Sequence, residues 1–302
     1  SLRRKIIVYF LLISGSIILL FPLYWMFVLS VSSSDETAKL LSGFSEFKWI
    51  PTDPQWINYW DALNGLGGNL KPAKSSVQTG QFSGNWVGFV DATSNTIFIT
   101  AWVIIGQVLS CSIMGYAFAR LRFRGKKLSF ALILATMMLP GQVTMIPSFL
   151  IFRWLGWVDT FYPFIVPAFL GSAFYIFLFR QFFAGIPEDL MDAAKLDGLG
   201  HLGLWWHIFL PMSKPVLAIV SIFTFIGTWN DFLGPLIYLQ SGEKRTLALA
   251  LANLFNTGGF QGIDNVNVMM AASLATMIPC IILFLIAQKY FIKGLNITGI
   301  KG

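Results

Sequence analysis

Chemistry in this chain has to be sought among the few polar groups inside its long apolar runs. Asp231 stands out. It follows Trp229 and Asn230 late in an apolar stretch that begins at Pro215. Counted along a helix it lies roughly 24 Å past that proline, toward the outer end. A carboxylate within a membrane span costs about 2.5–3.5 kcal/mol near the bilayer centre and less near an interface, so it faces a cavity or a partner. Two roles stay open. Trp229, Asn230 and Asp231 line a translocation path, or Asp231 is structural and holds a bend at Gly234-Pro235. Gln107 and Gln142 also lie in apolar runs, where hydrogen bonding between helices is expected rather than substrate contact. His201 and His207 are six apart with no cysteine nearby, which is not a metal-ligand spacing on one helix face. No metal or other cofactor is expected on this chain.

Two absences narrow the field. No Gly-x-x-x-x-Gly-Lys-Ser/Thr loop occurs in the sequence, so ATP binding in the P-loop manner is not expected. No nucleophile–base constellation occurs either. The chain is expected not to be an enzyme, and any energy source must be another polypeptide.

The elements that hold these residues are set by the solvent. The 302 residues are 56% hydrophobic and only 12% charged, with a mean hydropathy of +0.69. Soluble domains carry roughly twice that share of charge. Lipid must therefore take up the excess apolar surface. Six stretches have about the 20 apolar residues a spanning helix needs: Ile6–Leu29, Thr93–Phe118, Leu128–Phe152, Phe161–Phe183, Pro215–Leu239 and Met269–Phe291. Pro140 and Pro147 predict a kink in the third, and Gly234-Pro235 predicts one in the fifth. The first run is too long for a signal peptide and reads as an anchor. Cys111 and Cys280 lie in apolar runs and imply no disulfide.

The net charge of +7 is not a nucleic-acid signal, because the basic residues flank the hydrophobic runs. Arg3, Arg4 and Lys5 precede the first run. Arg120, Arg122, Arg124, Lys126 and Lys127 fill the gap after the second. Lys289, Lys293 and Lys301 lie at and beyond the end of the sixth. With six spans all three places fall on one side, which the positive-inside rule makes cytoplasmic. Both termini and the segment Gly185–Pro211 share that side. A long outer loop, about 32–92, faces the other. Its Trp49, Trp56, Trp60 and Trp86 either pack at the membrane interface or meet a sugar or partner.

The segment Ile186–Pro215 is polar and short. Pro187 suits the first position of a helix, Glu188 and Asp189 suit its positive end, and Gly198 suits its left-handed termination. A second short helix, about His201–Phe209, is predicted before Pro211. Leu190, Ala193, Ala194 and Asp197 follow i, i+3, i+4, i+7 spacing and share a face. Two alanines there make a small knob that can enter a groove, as an element relaying motion from another protein requires.

This pattern resembles the signature loop of ATP-binding-cassette (ABC) importer permeases: Glu-Ala-Ala, three residues, Gly, nine residues, then Ile-x-Leu-Pro. Here it reads Asp192-Ala193-Ala194, Gly198 and Ile208-Phe209-Leu210-Pro211, with Asp192 in place of the usual Glu. The run Phe225–Phe232 with Gly234-Pro235-Leu236-Ile237, and Leu139-Pro140-Gly141-Gln142 with Ile146-Pro147, resemble the carbohydrate branch of that family. The tail Gly294–Gly302 resembles the ending of the shorter permease of maltose-type transporters.

The resemblance implies an all-α membrane protein of the ABC type I importer fold, one permease domain over 1–302. It implies a coupling loop at about 185–211, in which Asp192, Ala193, Ala194, Asp197, Gly198 and Pro211 meet an ATPase. It also implies a tail, 292–302, whose Gly299, Lys301 and Gly302 reach the ATPase dimer. The implied partners are a second permease, a homodimeric ATPase that holds ATP and Mg, an extracytoplasmic sugar-binding protein and membrane lipid. The implied location is a bacterial or archaeal inner membrane. The competing reading is an ion-coupled secondary transporter with Asp231 as relay, which leaves Asp192–Pro211 unexplained.

Overall fold

A computed structural model of the chain describes residues 2–42, 50–51, 53–65, 88–257 and 266–297. Among them the regular structure is entirely helical: α1 (Leu2–Val31), α2 (Ser34–Ser42), α3 (Ile57–Gly65), α4 (Phe89–Arg120), α5 (Lys126–Thr136), α6 (Gly141–Trp154), α7 (Tyr162–Ala168), α8 (Ala173–Ala184), α9 (Glu188–Leu196), α10 (His201–Leu204), a π-helical turn (Trp205–Phe209), α11 (Leu210–Met212), α12 (Lys214–Trp229), α13 (Leu233–Tyr238), a 3-10 turn (Gly242–Lys244), α14 (Leu247–Thr257) and α15 (Val266–Ile297). Among the described residues four segments are long and apolar enough to cross a membrane. Two bent pairs, α5 with α6 at 98° and α10–α11 with α12 at 79°, raise the number to six if each is one span.

The first bend has a local cause. Pro140 is the N-cap of α6 in an extended conformation, so α5 stops short of it, whereas Pro147 lies inside α6 without ending it. The predicted break at Gly234-Pro235 occurs earlier. α12 ends at Trp229, and Gly234 and Pro235 already belong to the first turn of α13, where a helix tolerates proline.

The described residues form two compact units. The first comprises Ser1–Ala92 and Leu247–Pro279. Its polar centre closes the end of α1: Asn58 Nδ2 donates to the carbonyls of Ser30 (2.9 Å) and Ser32 (3.0 Å), and Asn267 Nδ2 donates to Asn58 Oδ1 (2.9 Å). These bonds satisfy carbonyls that a helix terminus leaves without partners. α2, inside the predicted outer loop, starts on a capping box: Glu36 N donates to Ser33 Oγ and Ser33 N to Glu36 Oε2, both at 3.3 Å. Trp49 and Trp86 lie outside the described residues.

The second unit comprises Thr93–Thr246 and Cys280–Gly302. α4 packs tightly on α7 and α8 through small residues. A Cβ on Gly115 would stand 2.5 Å from that of Phe179, and one on Gly106 would stand 2.9 Å from the Phe169 ring. Ser110 Oγ donates to the Ala168 carbonyl at 3.1 Å. Small residues and hydroxyl bonds are how helices approach closely in lipid, where water supplies no driving force. The core continues into a cluster with Phe179, Phe183, Leu204, Phe209 and Val220 at its centre, all fully buried.

One further anchor in this unit is Asp159, between α6 and α7. It has a left-handed backbone, φ 60°. Its Oδ1 accepts from the backbone N–H of Gln240 (2.9 Å) and Ser241 (2.8 Å), its Oδ2 accepts from Ser241 Oγ, and Lys244 Nζ pairs with Oδ2 at 3.1 Å. Asp159 N donates to the Tyr238 carbonyl at 2.7 Å. Asn95 Nδ2 holds the same turn through the carbonyls of Glu243 (2.8 Å) and Arg245 (3.1 Å).

Candidate functional site

The polar segment between α8 and α12 folds as a helical hairpin. Pro187 is the N-cap of α9, one position before the predicted N1, and Glu188 and Asp189 fill the first turn. The helix stops at Gly198, whose φ of 84° is left-handed. Gly198 N donates to Lys195 O at 3.0 Å and Leu199 N to Ala194 O at 3.1 Å. This pair of bonds is the Schellman arrangement that glycine permits. The chain then reverses into α10, the π turn and α11, so the second helix is present with a wide turn at Trp205–Phe209.

The structure divides the predicted face. Leu190, Ala193 and Asp197 are exposed, but Ala194 is buried in the core cluster. The alanine pair is therefore not one knob. Ala194 is two residues before the end of α9 and closes the Schellman turn inward, while Ala193 points out. Asp192 is exposed and pairs with Lys195 at 3.1 Å, a surface contact worth about 0–1 kcal/mol. Pro211 lies exposed in α11. Around these residues the surface is unexpectedly apolar: Leu196 is 90% exposed and Leu202 is 74% exposed.

What sequence reading missed is how the hairpin is held. Arg120, counted above only as one of the basic residues flanking the spans, has a side chain just 6% exposed. Its Nε and Nη2 donate to the Phe183 carbonyl (3.1 and 2.7 Å), and Nη2 also donates to the Ile186 carbonyl. Its guanidinium lies 5.4 Å from the Phe209 ring centroid. A cation at the end of α8 suits the negative end of the helix dipole, and it joins the Ile186 amide on the Phe183 carbonyl. The signal that would have found it is its place at the last residue of a long helix, eight residues after Ser112 and four after Tyr116.

At the other end of α12, Trp229 is buried and stacks on Phe225 with centroids 5.2 Å apart. Asn230 is exposed, and its Nδ2 turns back to the Ile226 carbonyl at 2.8 Å. Asp231 Oδ1 accepts from Gly234 N at 3.0 Å. This bond holds the first turn of α13, as the structural role of Asp231 requires. Gly299, Lys301 and Gly302 lie outside the described residues. Among the described residues no group of three or more His, Cys, Asp and Glu is placed to hold a metal ion.

Residues 107–297 match the family described as binding-protein-dependent transport system inner membrane component. The chain belongs to that family. It is a multi-pass permease of the inner membrane, and the ion-coupled alternative is set aside. The permease is 36% identical over 208 residues to the arabinooligosaccharides transport system permease protein AraQ of Halalkalibacterium halodurans, covering 69% of this chain and 73% of that one. It is 31% identical over 288 residues to the sn-glycerol-3-phosphate transport system permease protein UgpE of Yersinia pestis, covering 94% and 93%. It superposes with a TM-score of 0.78 and 25% identity on a chain from the crystal structure of a bacterial ABC transporter involved in the import of the acidic polysaccharide alginate, covering 95% and 96%. The ABC permease fold expected from sequence is therefore present.

Proposed function

We propose that this permease forms the sugar path of an ATP-driven importer with a second permease, and that α9 docks into a separate ATPase. The observation that carries the docking is the exposed apolar tip. Leu196 and Leu202 flank the Gly198 turn, on a polar segment that the charge pattern assigns to the cytoplasm. A soluble surface does not gain from exposing such side chains, but a groove on a partner does. Asp192, Ala193, Asp197 and Gly198 form the polar and small rim of that tip, Ala194 supports it from beneath, and Pro211 ends the hairpin. ATP and Mg belong to the partner.

The substrate class we infer is a carbohydrate or carbohydrate-like solute delivered by an extracytoplasmic binding protein. Its support is the carbohydrate-branch sequence pattern together with relatives that handle arabinooligosaccharides and alginate. A glycerol phosphate is the other chemistry among the relatives. Both termini face the cytoplasm in this reading, and the tail with Gly299, Lys301 and Gly302 contacts the ATPase. Trp229, Asn230 and Asp231 are assigned to the neighbourhood of the path, with Asp231 shaping it by capping α13.

The test is co-purification of the ATPase with the permease pair carrying Leu196→Asp. Desolvating a new carboxylate at an apolar contact should weaken the complex by roughly tenfold or more. Native retention of the ATPase by this variant would remove α9 as the docking element.

A further inference from the structure

α4 carries three polar side chains one helical turn apart, Ser112, Tyr116 and Arg120, and each grips the hairpin at a different level. Ser112 Oγ accepts from Trp205 Nε1 at 3.3 Å in the π turn. The Tyr116 hydroxyl and His201 Nδ1 are 3.2 Å apart at the start of α10. Arg120 holds the carbonyls of Phe183 and Ile186, where the chain enters α9, and reaches Glu188 at 3.8 Å. The three levels enclose Phe209, whose ring meets Tyr116 at 4.9 Å and Phe183 at 5.5 Å. Between the Ser112 and Tyr116 levels α4 and α8 are in backbone-level contact at Gly115.

We propose that Arg120 is a positioning residue for energy coupling. Through it the docking hairpin and α4 are one body, so a displacement of α9 by the ATPase moves α4 rather than bending the segment between α8 and α9. The inference rests on the docking reading above. Its physical basis is the pattern of ties. Arg120 is buried and its bonds are to the chain entering α9, whereas Leu196 and Leu202 are exposed, so it acts on the relay and not on the docking surface. The Glu188 contact is mostly solvent-exposed and adds little. The two carbonyl bonds and the stacking on Phe209 need a planar fork, which lysine does not supply.

The experiment uses the assembled complex, with sister permease, ATPase and binding protein, in proteoliposomes. Arg120→Gln should keep the ATPase bound but lower sugar uptake by roughly tenfold, with ATP hydrolysis nearly unchanged, so that ATP used per sugar rises about as much. Arg120→Lys should recover part of the loss. A native ATP-to-sugar ratio in Arg120→Gln overturns the proposal.

If that variant does not assemble, spin labels at Arg122 and Lys195 in the otherwise native complex give the answer. The distance between them should stay constant, to within about the 1–2 Å scale of a helix shift, between nucleotide-free and ATP-bound states. A larger change contradicts a single body. Retained ATPase in Leu196→Asp would remove the docking reading itself. Loss of ATPase there, with native coupling in Arg120→Gln, would remove this inference alone.

Discussion

The carboxylate of Asp159 accepts hydrogen bonds from both the backbone N–H and the hydroxyl of Ser241, 82 residues away in sequence. Burial raises the affinity of this carboxyl for a proton. The bonds from Ser241, Gln240 and Lys244 outweigh that effect and hold it well below the usual carboxylate range. The connection between α6 and α7 is thereby fixed to the turn after α13, within one compact unit.

Asp159→Ala should lower the stability of the purified permease by about 1.5–3 kcal/mol, the usual cost of losing hydrogen bonds to a charged group. The sign of the pH dependence follows from the depressed value. The stabilisation is complete above the unfolded value of about 3.9 and is lost as pH falls through the folded value below it. Thermal unfolding in detergent should show this stabilisation as a constant between about pH 5 and 8, with no pH dependence from Asp159 there. The native protein should lose more stability than Asp159→Ala on further acidification. An equal acid response in both would place the effect elsewhere.

Gly115 and Gly227 make opposite predictions for the same substitution. At Gly115 a methyl group meets Phe179 Cβ at 2.5 Å and the Arg180 amide at 3.0 Å, so α4 and α8 must separate. Gly115→Ala should destabilise by about 1–3 kcal/mol. Nothing lies within 4 Å of a Cβ at Gly227 in α12. Gly227→Ala should be neutral or stabilising by up to about 1 kcal/mol. Paired melting curves in detergent check both.

Asp231 separates charge from capping. Asparagine keeps an acceptor for the Gly234 amide. Asp231→Asn should therefore retain near-native uptake, while Asp231→Ala should lose about 1 kcal/mol of local stability with the cap. Uptake assays showing that Asp231→Asn is as impaired as Asp231→Ala would assign the negative charge a role in transport.

Much of this was legible in the sequence because lipid imposes a simple rule: runs of about 20 apolar residues must be helical. The α9 hairpin was legible for another reason, since Pro187, Glu188 and Gly198 are local signals that need no tertiary information. The break after Trp229 was not, because Gly234-Pro235 reads as a breaker until a preceding residue is seen to cap a new helix there. Ala194 turned inward because its burial depends on the chain reversal, which spacing alone does not reveal. The capping box at Ser33 and Glu36 was present in the sequence but lay inside a stretch read as loop. Arg120 and Asp159 could not be told from surface charges, because the groups they bond lie more than 60 residues away in sequence.

The central claim is that the outward face of α9 receives the ATPase's stroke. It is tested most directly by ATP-driven sugar uptake in proteoliposomes containing the complete transporter, with Ala193→Trp compared with the native chain. Ala193 is exposed and small, next to the buried Ala194, so an indole there enlarges the docking face without entering the core. The account predicts a correctly folded permease with uptake reduced by roughly tenfold or more and the ATPase released or uncoupled. Native uptake and native coupling in Ala193→Trp would contradict it.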